Sequence, residues 1–456
     1  MIIVDWFFFH LLSIIGFFLA VMLLAHHQRE SRSPSSIVAW LLAILLVPYL
    51  GVPAYLMFGG RKTKRMIKHK ADLAVGIKDC AERSIDLDLG NIFPLRPGND
   101  IVLLSTGEQA YTALLKLINE AEKNIEVATF ILGDDETGAA ILEVLTRQAA
   151  AGLRVRLLLD ALGSFRISEK KLAAFLANGG EYAFFMPMRH LPFRGRANLR
   201  NHRKIVIVDN QTAIVGGMNI AHEYMGKTND SHRWQDLSLI VKGPVLADLI
   251  QVFRSDWQFA AQQSLPESDL PVLVETGDRT PVQLMPSGPD IVGDPLYESI
   301  ITAFFKARRR VWIVTPYFIP DEMMLKALGI TARRGIDVRI VVPRVSNHRL
   351  ADLVRRSYLR QLQESGAKVY NYTPGMVHAK VILIDDELSI LGSMNMDSRS
   401  FFLNYEIVLF LYNENLVREL EVWILDLISH SFTGVKNVNL FISFWEEVAR
   451  LMAPLL

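Results

Sequence analysis

Two histidines in this chain, His202 and His378, each stand two residues before a lysine, Lys204 and Lys380, at the head of an apolar run. On a β-strand, residues i and i+2 leave the same face, so each imidazole shares a face with an ammonium. An ammonium neutralises a phosphate oxygen while an imidazole attacks phosphorus or moves a proton, so the pairing points to phosphate chemistry. Alone, such a dipeptide pattern is most often only the polar start of a strand. The repetition removes that reading. In both copies an aspartate (Asp209, Asp385) lies five residues after the lysine and an asparagine (Asn219, Asn395) ten residues further on. The first asparagine closes Gly216-Gly217-Met218-Asn219 and the second Gly392-Ser393-Met394-Asn395.

Facing each other across a pseudo-twofold axis, the two copies would offer two imidazoles, two ammoniums and two amides. That set suits a phosphodiester. Lysines and asparagines hold the non-bridging oxygens, one histidine attacks phosphorus, and the other protonates the leaving alkoxide. Only Ser393, which replaces Gly217 in the second copy, could add a hydroxyl to the phosphate site. Asp209 and Asp385 complete the motif and count among its catalytic letters. Their odd spacing from the lysines gives them opposite strand parity, however, and reads them as turn residues. Asp236 and Glu406, each just before an apolar strand, are better placed to hold a histidine Nδ1 and fix its tautomer. Which acid serves which histidine is left open. The scheme needs no metal and no cofactor, and no metal-ligand spacing such as His-Glu-x-x-His occurs; His222 and Glu223 read as surface residues.

The elements around these residues predict an α/β protein made of one lobe used twice. Helical spacing over 107–122 and 139–151 alternates with strands over 125–132 and 155–159, and the order returns as helices over 296–306 and 322–334 with strands over 311–315 and 338–342. The junction Gly152-Leu153-Arg154-Val155-Arg156 matches Gly335-Ile336-Asp337-Val338-Arg339. Residues 101–262 form the first lobe and 291–456 the second. The Pro-, Ser- and Asp-rich stretch 263–290 is the expected linker. A loop over 184–196 mixes Phe and Met with Arg and His, which suits contact with lipid headgroups as well as an ordinary cap on the core. An amphipathic helix over 441–451 is expected to pack on the second lobe.

The chain has 456 residues, half of them hydrophobic, and a formal net charge of +1. That charge argues neither for nor against a polyanionic partner; nucleic acid is not expected, because the catalytic portion is not net basic and the chain carries two apolar spans and an apolar loop. Cys80 is the only cysteine, which excludes an internal disulfide and a Cys-based metal cluster. The apolar excess gathers in two stretches, 6–25 and 37–58, each long enough for the roughly 20 residues of a membrane-spanning helix. A transmembrane helical hairpin over 1–60 is therefore expected, then a basic connector over 61–100. Six cations (Arg61, Lys62, Lys64, Arg65, Lys68, Lys70) follow the second span, against Arg29 and Arg32 in the short loop. This places the lobes on the cytoplasmic side.

The duplicated His-x-Lys-x4-Asp with its trailing Gly-(Gly/Ser)-x-Asn resembles the motifs of the phospholipase D superfamily. Within it, the two N-terminal spans, Arg196 to Lys204, Glu223-Tyr224, Pro286-Ser287-Gly288-Pro289, Thr315-Pro316-Tyr317-Phe318 and the closing Ala453-Pro454-Leu455-Leu456 are similar to bacterial cardiolipin synthases. The resemblance spans essentially the whole chain. It implies two pseudo-symmetric phospholipase D-like lobes at the bacterial inner membrane, condensing two phosphatidylglycerols into cardiolipin and glycerol without metal. It also implies a phosphatidyl-histidine intermediate, with His202 as nucleophile and His378 as general acid and then base. A lipid hydrolase, a synthase using phosphatidylethanolamine, a nuclease and a catalytically silent membrane scaffold are the alternatives. Retention of all four His and Lys residues argues against the last. The oligomeric state, a homo-oligomer included, is left open.

Overall fold

The computed structural model describes residues 93–186, 199–263, 265, 280–291, 293–436, 438–439 and 446–450, with short pieces between 14 and 51. The expected membrane hairpin and basic connector lie almost wholly outside them, as do most of the 184–196 loop and of the 441–451 helix. Among the described residues no helix is long and apolar enough to cross a membrane.

The first lobe runs β1 (Arg96–Leu104), α1 (Gly107–Asn119), β2 (Asn124–Thr129), α2 (Glu136–Ala150), β3 (Arg154–Asp160), α3 (Glu169–Ala177), β4 (Glu181–Phe185), β5 (Ile205–Val208), β6 (Thr212–Gly216), β7 (Ser238–Lys242) and α4 (Leu246–Ala261). The second begins with β8 (Thr280–Ser287), α5 (Pro295–Lys306), β9 (Arg310–Val314), β10 (Phe318–Ile319), α6 (Glu322–Arg333), β11 (Asp337–Pro343), α7 (Arg349–Glu364) and β12 (Lys368–Tyr372). It ends with β13 (Val381–Ile384), β14 (Leu388–Gly392), β15 (Met396–Asp397), α8 (Ser398–Phe402), β16 (Glu406–Tyr412), α9 (Glu414–Ser429) and β17 (Ser431–Thr433).

Apart from the short pair β10–β15, the strands form one mixed sheet in the order β17-β12-β11-β9-β13-β14-β16-β8-β1-β7-β6-β5-β2-β3-β4. Read outward from the β1–β8 pair, the order of the first lobe is repeated in the second, with β17 added at the edge. In both lobes three parallel strands meet an antiparallel hairpin. The linker expected over 263–290 is corrected here: β8 fills 280–287, buried between β16 and β1. Pro281 and Pro286, which read as breakers, are accommodated within it.

The two motif hairpins show why these letters fold so. Along β5, Ile205 and Ile207 enter a core shared by both lobes, while Val206 and Val208 enter the core of the first lobe. Along β13, Val381 and Leu383 enter the shared core and Ile382 and Ile384 the core of the second. Both hairpins are thus buried on both faces, which the β-branched and aliphatic runs satisfy. The shared core also takes α4 and α9. Asp209 and Asn210 turn the first hairpin, in the three-residue loop 209–211, with φ of 53° and 57°, a left-handed geometry that Asp and Asn tolerate.

The described end of the last helix packs on the second lobe. Glu446 is buried and accepts from Arg360 of α7 at 2.7 Å, and Arg450 lies over the ring of Tyr358.

Candidate active site

Each motif histidine precedes its strand in a segment that pairs with the opposite lobe. The His202 amide donates to the Tyr405 carbonyl at 2.9 Å, and Tyr405 donates to Arg200 at 2.8 Å. Across the pseudo-twofold, the His378 amide donates to Gln235 at 2.7 Å, and Gln235 donates to Met376 at 2.8 Å. Glu406 follows Tyr405 and Asp236 follows Gln235. The bridges therefore deliver each acid to the histidine of the other lobe.

Nδ1 of His202 lies 2.9 Å from Glu406 Oε2, and Nδ1 of His378 lies 2.6 Å from Asp236 Oδ2. A ring N–H on Nδ1 donates to the carboxylate, which leaves Nε2 as the working atom. Arg203 staples the crossing. Its guanidinium donates to both oxygens of Asp256 at 2.7 Å, to the Glu406 carbonyl at 3.0 Å and to the Ser287 carbonyl at 3.0 Å.

The lysines complete the cluster. Lys204 Nζ donates to the His202 carbonyl at 2.6 Å. Lys380 Nζ donates to the His378 carbonyl and sits against the ring edge. Burial is the main force on all four bases. It lowers His202, against the pull of Glu406, and it lowers His378 to about 3, helped by the neighbouring Lys380 charge. It also lowers Lys380 to about 8 and holds Lys204 well below the usual lysine range. For Asp236 and Glu406 the cationic neighbours outweigh burial and keep both carboxyls below their ordinary values. Without substrate both imidazoles are therefore neutral near pH 7. A phosphodiester anion facing an imidazole favours its protonated form and so opposes this shift.

The remaining expected residues divide. Asn219 Oδ1 accepts from the Ile131 amide at 3.2 Å. Asn395 is buried, and its Oδ1 has no hydrogen-bond partner among the described residues. Ser393 is engaged by an acid of its own lobe. Its hydroxyl donates to Glu406 Oε2 at 2.5 Å and accepts from the Ile407 amide at 3.0 Å, so it holds the acid. Asp209 and Asp385 lie at the far ends of their strands. Asp209 accepts from the amides of Glu122, Lys123 and Asn124, and Asp385 from those of Arg308, Arg309 and Arg310. Through these bonds both tie their turns to the neighbouring strand, the structural part that their strand parity predicts. His222, Asp135 and Glu223 gather on the surface, with the imidazole 3.3 Å and 3.4 Å from the two carboxylates.

The aromatic wall was not anticipated. Phe130 meets His202 edge-on at 5.0 Å, while Tyr224 and Trp234 stand 5.0 Å and 5.4 Å from His378. Trp234 sits two residues before Asp236, so its place beside the acid was a readable signal. His202 and His378 are only 8% and 4% exposed. Bulk water has little access to the reacting atoms.

A twice-used α/β lobe whose His-Lys pairs meet across its own interface defines the phospholipase D class. The fold agrees with the crystal structure of phosphatidylserine synthase from Haemophilus influenzae, at a TM-score of 0.62 and 17% identity over 85% of this chain and 98% of that one. The profile of the family described as "Cardiolipin synthase, PLD-like domain" matches residues 114–257 and 300–428, and that described as "Phospholipase D-nuclease N-terminal" matches 11–60. Cardiolipin synthase of Geobacillus kaustophilus is 33% identical over 455 residues, covering 94% of this chain and 90% of that protein. Cardiolipin synthase of Halalkalibacterium halodurans is 34% identical over 457 residues with the same coverage. The chain belongs to the cardiolipin synthase family.

Proposed function

We propose that this protein is a phosphatidyltransferase that joins two phosphatidylglycerols into cardiolipin and releases glycerol. The observation that carries the reading is the composite site: two His-Lys pairs at one interface, each imidazole held by a carboxylate of the opposite lobe. Nε2 of one histidine attacks phosphorus of the first lipid. The bond from phosphorus to the headgroup glycerol breaks, and the other histidine gives its proton to the departing alkoxide. That histidine, now neutral, takes the proton from a hydroxyl of the second phosphatidylglycerol. The new alkoxide attacks phosphorus, the P–N bond breaks, and the first imidazole is restored. Lys204, Lys380, Asn219 and Asn395 hold the non-bridging oxygens and stabilise the charge that builds on them. By resemblance His202 is the nucleophile and His378 the acid and base.

The site is placed at a bacterial membrane, with residues 1–60 as its helical hairpin and the lobes on the cytoplasmic side. Two apolar stretches support the hairpin, and so does the closeness of Gly16 to Ile44, where an added Cβ would stand 3.6 Å from Cγ2; the cations after the second stretch support the side. The full-length protein in phosphatidylglycerol micelles with chelator should form cardiolipin and release glycerol, and His202→Ala should form none. Accumulation of phosphatidic acid instead would make it a hydrolase. Release of ethanolamine from mixed micelles would make phosphatidylethanolamine the second lipid.

A further inference from the structure

The two catalytic histidines stand at one edge of the sheet, and what else emerges at that edge bears on how a lipid reaches them. β5 runs antiparallel to β2, and β2 is parallel to β3, so the residues before β5 lie beside the ends of β2 and β3. The Asn201 amide donates to Asp160 Oδ2 at 3.0 Å, closing that corner. The second lobe repeats the arrangement, with β13 antiparallel to β9 and β9 parallel to β11. The segments that leave β3 and β11, the loop 161–168 and the loop 344–348 with the first turn of α7, therefore both flank the cleft.

These loops carry the same unusual surface twice. Leu162 and Val345 both lie ten residues beyond the matching glycines Gly152 and Gly335, and they are 42% and 67% exposed. Arg166 and Arg349 are equivalent in the same way, and both are exposed. Each rim also shows a phenylalanine beneath a guanidinium. Arg166 lies 5.4 Å over Phe165, and Arg344 lies 5.1 Å over Phe432, with both rings more than half exposed. Residues 344–350 contain no acid, and residues 161–168 carry Arg166 and no acid.

Neither loop is free to fold its apolar tips inward. Asp160 Oδ1 accepts from the Leu162 and Gly163 amides, and Ser164 donates to the Phe130 carbonyl. In the second lobe Asp352 accepts from the Ser346 amide, and Arg355 donates to the Pro343 and Arg344 carbonyls. Rigid loops that hold apolar side chains and cations outward fit the boundary between headgroups and acyl chains.

We propose that these twin rims dock on an anionic lipid bilayer, so that the pseudo-twofold axis stands along the membrane normal and lipid enters the cleft between them. The proposal rests on the phosphatidyltransferase reading for its substrate, and the surface itself can be tested apart from it. Nitroxide labels would be placed at Phe165→Cys, Val345→Cys and Leu176→Cys in the full chain carrying Cys80→Ser, reconstituted in vesicles of phosphatidylglycerol and phosphatidylcholine. Leu176, 47% exposed at the end of α3 on the opposite edge, is the control. Labels at 165 and 345 should relax faster with oxygen than with a water-soluble nickel chelate, and the label at 176 should do the reverse. If the rim labels behave like the one at 176, the docking surface is wrong.

A second measurement pairs Leu162→Glu with Val345→Glu. Turnover of long-chain phosphatidylglycerol in vesicles should fall at least about tenfold, while monomeric short-chain phosphatidylglycerol is turned over as before. Equal loss on both substrates, or on neither, overturns the proposal. Lipid contact at 165 and 345 in a protein that makes no cardiolipin would instead overturn the function and leave the surface standing.

Discussion

His202 and His378 occupy matching positions in a duplicated lobe, yet their surroundings have diverged. Glu406 reaches His202 with a long side chain that Ser393 and Asn404 steady, the amide of Asn404 donating to Oε1 at 3.2 Å. Asp236 reaches His378 with a shorter one, held by the Leu237 amide at 2.8 Å. It fits because the residue opposite is Gly217, where a Cβ would collide with Asp236 Oδ1. The Gly/Ser difference between the two motifs is thus the complement of the Asp/Glu difference between the two acids. Lys204 keeps to the backbone of its histidine, whereas Lys380 presses on the ring of its own, and the His378 side carries Tyr224 and Trp234. A two-step transfer asks one imidazole to make a bond to phosphorus and the other to carry a proton. Unequal half-sites are what such a division requires.

The largest effects should come from the imidazoles themselves. His202→Ala and His378→Ala should each lower cardiolipin synthesis on the order of 10⁴-fold or more. A phosphatidyl ester of p-nitrophenol separates the two, because that leaving group needs no proton. Nitrophenol release in a burst should return in His378→Ala and stay absent in His202→Ala; the opposite pattern exchanges the two roles.

Removing the acids is next. Glu406→Gln and Asp236→Asn should each cost on the order of 10³-fold, since the neutral amide neither fixes the tautomer nor balances the imidazolium. Each acid raises the pKa of its histidine, so each loss lowers it. For a nucleophile that must be neutral, Glu406→Gln moves the acidic limb of the pH-rate profile to lower pH. For an acid that must be protonated, Asp236→Asn moves the basic limb the same way. Profiles that move identically would erase the distinction between the half-sites. Lys380, lowered to about 8, adds loss of phosphate binding as pH rises through that value.

The glycine and serine should differ in size of effect. Gly217→Ala displaces Asp236 and should cost about 10²-fold. Ser393→Ala removes one hydroxyl from Glu406, a loss of roughly 1–2 kcal/mol, or about tenfold. Last are the motif aspartates. Asp209→Ala and Asp385→Ala each leave three amides without their acceptor and should lower thermal stability by about 1–3 kcal/mol. Turnover per folded molecule should hardly change, and a selective fall in kcat with normal melting would return these residues to the chemistry.

The sequence carried much of this, for reasons that are local. Strand runs such as Ile205–Val208 and Val381–Ile384, the helix spacings and the His-x-Lys parity are written within a few residues, and the repeat doubled each signal. The turn role of Asp209 followed from parity alone. What stayed hidden depends on residues far apart. Glu406 meets His202 only because Tyr405 bridges Asn201, some two hundred positions away, and no spacing announces that pairing. β8 was hidden by its prolines, tolerated because β1 pairs with it only at its start. Ser393 was assigned to phosphate by its letter, while its hydroxyl direction is set by β16. Arg203 sat in plain view inside the motif, but its partners Asp256 and Ser287 come from two other segments.

The most direct test of the divided site is to find the covalent bond. Full-length protein mixed with ³²P-labelled phosphatidylglycerol, quenched within its first turnovers and digested, should carry acid-labile label on the peptide containing His202. That label should persist in His378→Ala when the nitrophenyl ester is the donor. Label on the His378 peptide would reverse the two half-sites, and no histidine-bound phosphate under either donor would contradict transfer through the enzyme altogether.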